Sequence, residues 1–170
     1  AIFDITKLDW INSQHLNNLS KESFKTHIMP FIDNLGIDYS QYQQLDELIE
    51  AMRSVKPNLQ LIAQALIPYL DTFKEYDEKG VSKFLIGSEE TLILVIESLQ
   101  TIKSWSEVEI DSMLVKIQEK LGLKTPQMNQ PIRIALTGST QSPSLGLTIK
   151  LMGRNKSIEL LNKALKFITK

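Results

Sequence analysis

Apolar residues recur along this chain at spacings of three and four, and almost never at two. Phe24, Ile28, Phe31, Ile32 and Leu35 form one stripe. Leu45, Leu48, Ile49 and Met52 form the next, and Leu59, Ile62, Leu66 and Leu70 a third. Such recurrence predicts amphipathic helices. The polar punctuation agrees. Ser20 is placed to cap a helix over 21–35, Gly36 to end it, and Pro30 to kink or break it. Ser40 with Gln43 reads as a capping box, and Pro57 fits the first turn of the helix that follows. Residues 76–88 interrupt the pattern with turn material, Tyr76-Asp77-Glu78-Lys79-Gly80 and Gly87-Ser88, so a subdomain boundary is placed at 78.

Beyond that boundary the helical pattern resumes. Ser88 is expected to cap a helix carrying Leu92, Val95, Ile96, Leu99 and Ile102. Ser106 with Glu109 is a second capping box, opening a helix that Gly122 closes. Thr125-Pro126 starts a helix ended by Gly138, and Ser142-Pro143 starts another ended by Gly153. The last helix is expected from about Lys156 to the end, with Ile158, Leu161, Leu165 and Ile168 inward. Ile132 to Leu136 could be read as a strand, but its flanks favour helix. The expected fold is all-α, two consecutive small helical bundles over 1–78 and 79–170.

Composition narrows the chemistry. With 42% apolar and 23% charged residues in 170, the chain can bury a core. It has no Cys, which excludes disulfides, Cys-ligated zinc and a thiol nucleophile. Its seven glycines form neither a dinucleotide-binding nor a P-loop fingerprint. His15 and His27 are isolated, without metal-ligand spacing, and Leu136-Thr137-Gly138-Ser139 lacks the G-x-S-x-G of a nucleophile elbow. Trp10 and Trp105 are expected in a subdomain core or interface. Apolar runs stop at five residues, so no membrane span is expected, and no signal peptide is visible. The opening at Ala1, with no Met, suggests a piece of a longer chain.

The net charge of −1 offers no global attraction to a polyanionic partner, but it is a cancellation. Residues 1–78 carry 6 basic and 12 acidic side chains, residues 79–111 carry 3 and 6, and residues 112–170 carry 10 and 2. No Asp or Glu occurs from Lys120 to Ile158, a stretch holding Lys120, Lys124, Arg133, Lys150, Arg154 and Lys156. Gln127, Gln130, Thr137, Ser139, Thr140, Gln141 and Ser142 add neutral donors and acceptors of the kind that read bases, while cations neutralise phosphates. The helix start at Ser142-Pro143 would add free N–H groups that favour anions. Charge alone leaves two readings open, a nucleic-acid partner and a solvated basic face paired with the acidic half.

Several segments, in order, resemble the C-terminal half of bacterial glutamyl-tRNA synthetases. Phe3-Asp4-Ile5-Thr6-Lys7-Leu8-Asp9-Trp10-Ile11-Asn12 looks like its entry, and Tyr76-Asp77-Glu78-Lys79 like the link between its two helical subdomains. Gln130-Pro131-Ile132-Arg133-Ile134-Ala135-Leu136-Thr137-Gly138 resembles its most specific signature. Ser142-Pro143-Ser144-Leu145 and Leu151-Met152-Gly153-Arg154 follow in register.

The resemblance implies a tRNA anticodon-binding region without the ATP- and Mg-dependent catalytic half. It implies a cytoplasmic location, no cofactor and no catalysis in this part, and tRNA(Glu) as partner, with tRNA(Gln) a second candidate. By resemblance Arg133 contacts an anticodon base, Ser142 and Leu145 line the same pocket, and Thr137 and Gly138 shape the turn behind it. Lys7 and Trp10 match positions that touch the tRNA on its stem side. The family position that reads the third anticodon base falls on Val55, which cannot donate a hydrogen bond. Either Arg53 or Lys56 takes that role, or discrimination between the two tRNAs is weak. The competing reading is a non-enzymatic helical protein-interaction domain with a basic face.

Overall fold

The computed structural model describes residues 4–170. Phe3, the first residue of the entry motif, lies outside them. The described chain is all-α, without a strand among the described residues. It divides into two compact units between Thr72 and Phe73. The boundary drawn at 78 therefore falls inside the second unit.

The first unit contains α1 (Ile5–Asn18), α2 (Lys21–Asp33), α3 (Leu45–Met52) and α4 (Leu59–Leu70). Asp4 caps α1, and Ser20 caps α2 by accepting from the Ser23 N–H at 3.1 Å. Phe24, Ile28 and Ile32 of α2 meet Leu48, Ile49 and Met52 of α3 and Ile62, Ala63 and Leu66 of α4 in one core. Helix α2 runs through Pro30 without a break and ends at Asp33. So near the C-terminus the missing N–H costs one late bond, and the Pro30 carbonyl still accepts from Asn34. Three expectations shift here. Ser40 does not cap α3; its N–H bonds to Asp38 instead, and α3 starts from Gln44 without a side-chain cap. Pro57 precedes α4 rather than opening it, because Asn58 caps that helix through the Leu61 N–H at 3.0 Å. Trp10 is 63% exposed, not a core residue, and α1 buries only Leu16.

The second unit contains a short turn α5 (Glu78–Gly80), a π-helical stretch (Val81–Leu85), α6 (Glu89–Thr101), α7 (Glu107–Leu121), α8 (Thr125–Thr137), α9 (Leu145–Met152) and α10 (Arg154–Ile168). Of the residues expected to be turn material, Tyr76, Asp77, Gly87 and Ser88 are non-helical, whereas 78–80 form a single helical turn that runs into the π-helical stretch between them. Ser106 caps α7 through the Glu109 N–H, and Gly122 and Gly138 end α7 and α8 with left-handed backbone (φ +63° and +70°). Ser88 precedes α6, yet its hydroxyl donates to the Leu85 carbonyl instead of capping. Helix α9 is capped by Ser144, two residues after the expected start at Ser142. Helix α10 begins at Arg154 and buries Ser157, Leu160, Leu161 and Ala164. Its inward face is thus rotated from the expected stripe, and Ile158, Leu165 and Ile168 are only half-buried.

Candidate nucleic-acid interface

The junction between α8 and α9 organises the residues of the acid-free stretch. Arg133 lies in the last turns of α8 and is half-buried. Its Nε donates to Ser142 Oγ at 2.8 Å and its Nη2 to the Pro143 carbonyl at 3.4 Å. Ser142 Oγ also accepts from Thr148 Oγ1 at 3.1 Å and donates to the Pro143 carbonyl at 3.0 Å. A hydroxyl offers one donor and two acceptor sites, so this one is fully used. The guanidinium plane is thereby fixed in orientation before any ligand arrives.

Thr137 and Gly138 build the turn that carries the chain back toward Arg133. Thr137 Oγ1 donates to the Arg133 carbonyl at 2.8 Å and accepts from the Ser139 N–H at 3.2 Å. Gly138 needs its positive φ, and it needs the space as well. A Cβ there would stand 2.7 Å from the Glu75 carbonyl oxygen and 2.8 Å from the Phe73 ring. The Asp77 N–H donates to the Gly138 carbonyl at 2.7 Å. Tyr76 packs between Phe73 and Phe167, with ring centroids 5.2 and 5.0 Å away. Burial raises its hydroxyl pKa, and that hydroxyl finds no hydrogen-bond partner among the described residues. Leu145, 4% exposed, packs beneath the junction as a core residue rather than on its surface.

The N-terminus of α9 is not open to an external anion. Ser144 Oγ donates to Glu107 Oε1 at 2.8 Å. The Asp111 carboxylate accepts from the Gly146 N–H, so close that a Cβ on Gly146 would collide with it. Burial, reinforced by Glu107, holds the Asp111 carboxyl above its usual range, against the lowering effect of that N–H. The anion site expected at the Ser142-Pro143 helix start is thus occupied by the chain's own acids.

The remaining candidates occupy the first unit. Lys7 and Trp10 are exposed on α1, three residues apart and therefore on one face. Val55 and Lys56 are partly exposed in the turn after α3. Arg53 is turned inward. Its Nη1 donates to the Leu19 carbonyl at 2.8 Å, its Nη2 pairs with Glu50 at 2.9 Å, and its guanidinium lies 4.5 Å from the centre of the Phe24 ring. Arg154 of the acid-free stretch is used in the same manner in the second unit. It donates to the Leu99 and Ile102 carbonyls at 3.0 and 2.7 Å, over the Trp105 ring. Both arginines secure the C-terminal end of a preceding helix, where cations complement the helix dipole. No group of three His, Asp or Glu among the described residues could hold a metal ion. No described helix is long and apolar enough to cross a membrane.

Thr148, Glu107 and Asp111 escaped the sequence reading. Thr148 left one usable signal, a hydroxyl within the stripe Leu145, Thr148, Ile149, Met152. It is fully buried, with its Oγ1 donating toward Ser142 and Pro143. The two acids gave none, since α7 reads as an ordinary amphipathic helix with a solvated face.

Residues 14–165 match the family described as anticodon binding domain. Among solved structures, the chain superposes on a glutamate tRNA ligase from Elizabethkingia meningosepticum, crystallised in complex with its amino acid, with a TM-score of 0.80 and 18% identity. That match covers 98% of this chain and 33% of the ligase. A glutamate-tRNA synthetase from Elizabethkingia anophelis matches with a TM-score of 0.76 and 19% identity, over 96% of this chain and 32% of its own. The chain thus spans about a third of the length of the structures it matches.

Proposed function

The chain belongs to the anticodon-binding domain family, and from that premise we propose that it is the tRNA-selecting part of a glutamate–tRNA ligase. The observation that carries the site assignment is the Arg133 guanidinium held flat by Ser142 and Pro143 inside a stretch without a single carboxylate. A fixed planar cation can stack on an unpaired base or bond to its edge, and sequence-specific RNA recognition mostly targets such splayed loop bases. Thr137 and Gly138 hold the turn, and Leu145 supports it from below. Lysines of residues 112–170 neutralise phosphates. Lys7 and Trp10 offer a cation and a ring to the stem side of the same RNA.

In this reading the chain performs no bond chemistry. It contributes binding energy and selectivity to a catalytic half outside these residues, which would use ATP and Mg2+ in the cytoplasm. The partner is tRNA(Glu), with tRNA(Gln) accepted where discrimination is weak. The buried engagement of Arg53 favours Lys56, or weak discrimination, over Arg53 as reader of the third base.

The test is a titration of the chain with tRNA(Glu) transcripts carrying native or altered anticodons. Arg133→Ala and an anticodon change should each weaken binding by about tenfold or more, the range of one lost base contact. The two effects should not add. If a folded Arg133→Ala protein binds all transcripts as the parent does, Arg133 is not the reader.

A further inference from the structure

Away from the α8–α9 junction, a groove of about 430 Å3 runs between α6 and α7. Lys103, Lys116 and Lys120 line it, and one carboxylate, Glu109, shares it with them. All three lysines are exposed, and none forms an ion pair among the described residues. Ser98 and Ser112 add hydroxyls to the walls, while Met113 and Ile117 make the floor partly apolar. Lys116 and Lys120 are four residues apart on α7, so their Cβ atoms stand roughly 5–6 Å apart on one face. That separation is comparable to the spacing of successive phosphates along a nucleic-acid strand.

We infer that this groove is a second RNA contact, a track for the phosphodiester backbone separate from the base-reading pocket at Arg133. The inference rests on the tRNA-binding reading and extends it to Lys103 and Lys116, which lie outside the acid-free stretch, and to the groove that joins them to Lys120. Three unpaired ammonium groups against one carboxylate form a cation-rich channel. Hydroxyls on its walls suit phosphate oxygens and ribose 2′-OH groups, contacts that position an RNA without reading its sequence. The apolar floor takes a ribose face. An acidic peptide is the competing occupant, but it would have to present a row of carboxylates at the same spacing.

The test compares the parent chain, a triple variant Lys103→Gln/Lys116→Gln/Lys120→Gln and Arg133→Ala for binding to tRNA(Glu) across a salt series. All three lysines are exposed, so the triple variant should keep its fold, checked by circular dichroism. A control removes charge elsewhere, Lys21→Gln/Lys79→Gln, two exposed lysines on α2 and α5 outside residues 112–170. The triple variant should bind about 10- to 100-fold more weakly at low salt. Its slope of log affinity against log salt should be shallower by about two, because each lost phosphate contact removes roughly 0.7–0.9 from the slope. Its preference among anticodon variants should be unchanged, the opposite of Arg133→Ala. In the parent chain, tRNA should shield the three lysines from an amine-acetylating reagent.

Parent-level affinity and slope in the triple variant, with no shielding, would overturn the groove while leaving the anticodon reading intact. A loss equal to that of the Lys21→Gln/Lys79→Gln control would also overturn it, as would a loss seen with polyglutamate, the acidic-peptide probe, and not with tRNA. Failure of the parent chain to bind tRNA at all would overturn both readings together.

Discussion

The three arginines of this chain illustrate how little a residue type says about its employment. Arg53 and Arg154 each lie over an aromatic ring and donate to carbonyls at the end of a helix. Arg133 instead donates to a hydroxyl and a loop carbonyl and stays half-exposed at a turn. The first two are structural clamps, and the third is a preorganised surface cation. Arg53 yields a sharp prediction. Its side chain is 10% exposed and makes bonds from a charged donor, each of which contributes more than a neutral one. Arg53→Ala should destabilise the first unit by about 2 kcal/mol in urea unfolding, the scale of losing such bonds and leaving buried acceptors unpaired. Under conditions where the protein remains folded, its discrimination among anticodons should match that of the parent. A stable Arg53→Ala protein with altered discrimination would return Arg53 to the base-reading role.

Among the elements, α9 has the most unusual start. Its N-terminal groups are satisfied by Glu107 and Asp111 of α7, a pair of acids held close together. The Asp111 carboxyl is raised above its free value of 3.8 by burial first and by Glu107 second. A raised acid binds its proton more tightly in the folded state, so stability rises as the pH falls through the window just above 3.8. At neutral pH the charge is a burden. Asp111→Asn should therefore melt at a higher temperature than the parent near pH 7, with the gain shrinking toward zero as the pH drops below that window. Melting curves of both proteins across the acid range check this.

The elements also differ in how legible they were. Ser20, Ser106, Gly122 and Gly138 act within a few residues of themselves, and their positions were readable because capping is local. Ser40, Ser88 and Ser142 carry the same local signal, but Ser40 and Ser88 bond to Asp38 and Leu85 upstream, away from the helix that follows, and Ser142 bonds to Arg133. The Arg133–Ser142 pairing was legible only through the family resemblance, because nine intervening residues hide it from any periodicity. The charge count placed Lys116 and Lys120 of α7 in a basic segment, but their meeting with Lys103 of the α6–α7 connection in one groove is a tertiary fact that no local pattern carries.

For the whole molecule, the division in fold and the division in charge do not coincide. The first unit, residues 1–72, carries 5 basic and 9 acidic side chains, whereas the second, 73–170, carries 14 and 11. The acids of 73–111 thus belong to the same unit as the strongly basic residues after 111. Some of them have a structural task there, as Glu107 and Asp111 do at α9. The feature with the most practical consequence is the contact of residues 73–77 with the Gly138 turn. Phe73, the Glu75 carbonyl and the Asp77 N–H form one wall of the turn beside Arg133. A cut after residue 78, where the pattern of turn residues invites one, would strip that wall and uncover Tyr76's neighbour Phe167. A polypeptide of residues 73–170 should melt cooperatively and give dispersed amide spectra, whereas one of residues 79–170 should melt at a lower temperature and lose the chemical shift of the Gly138 amide. The place to divide this molecule for crystallography, or for grafting its second unit onto another carrier, is the peptide bond before Phe73.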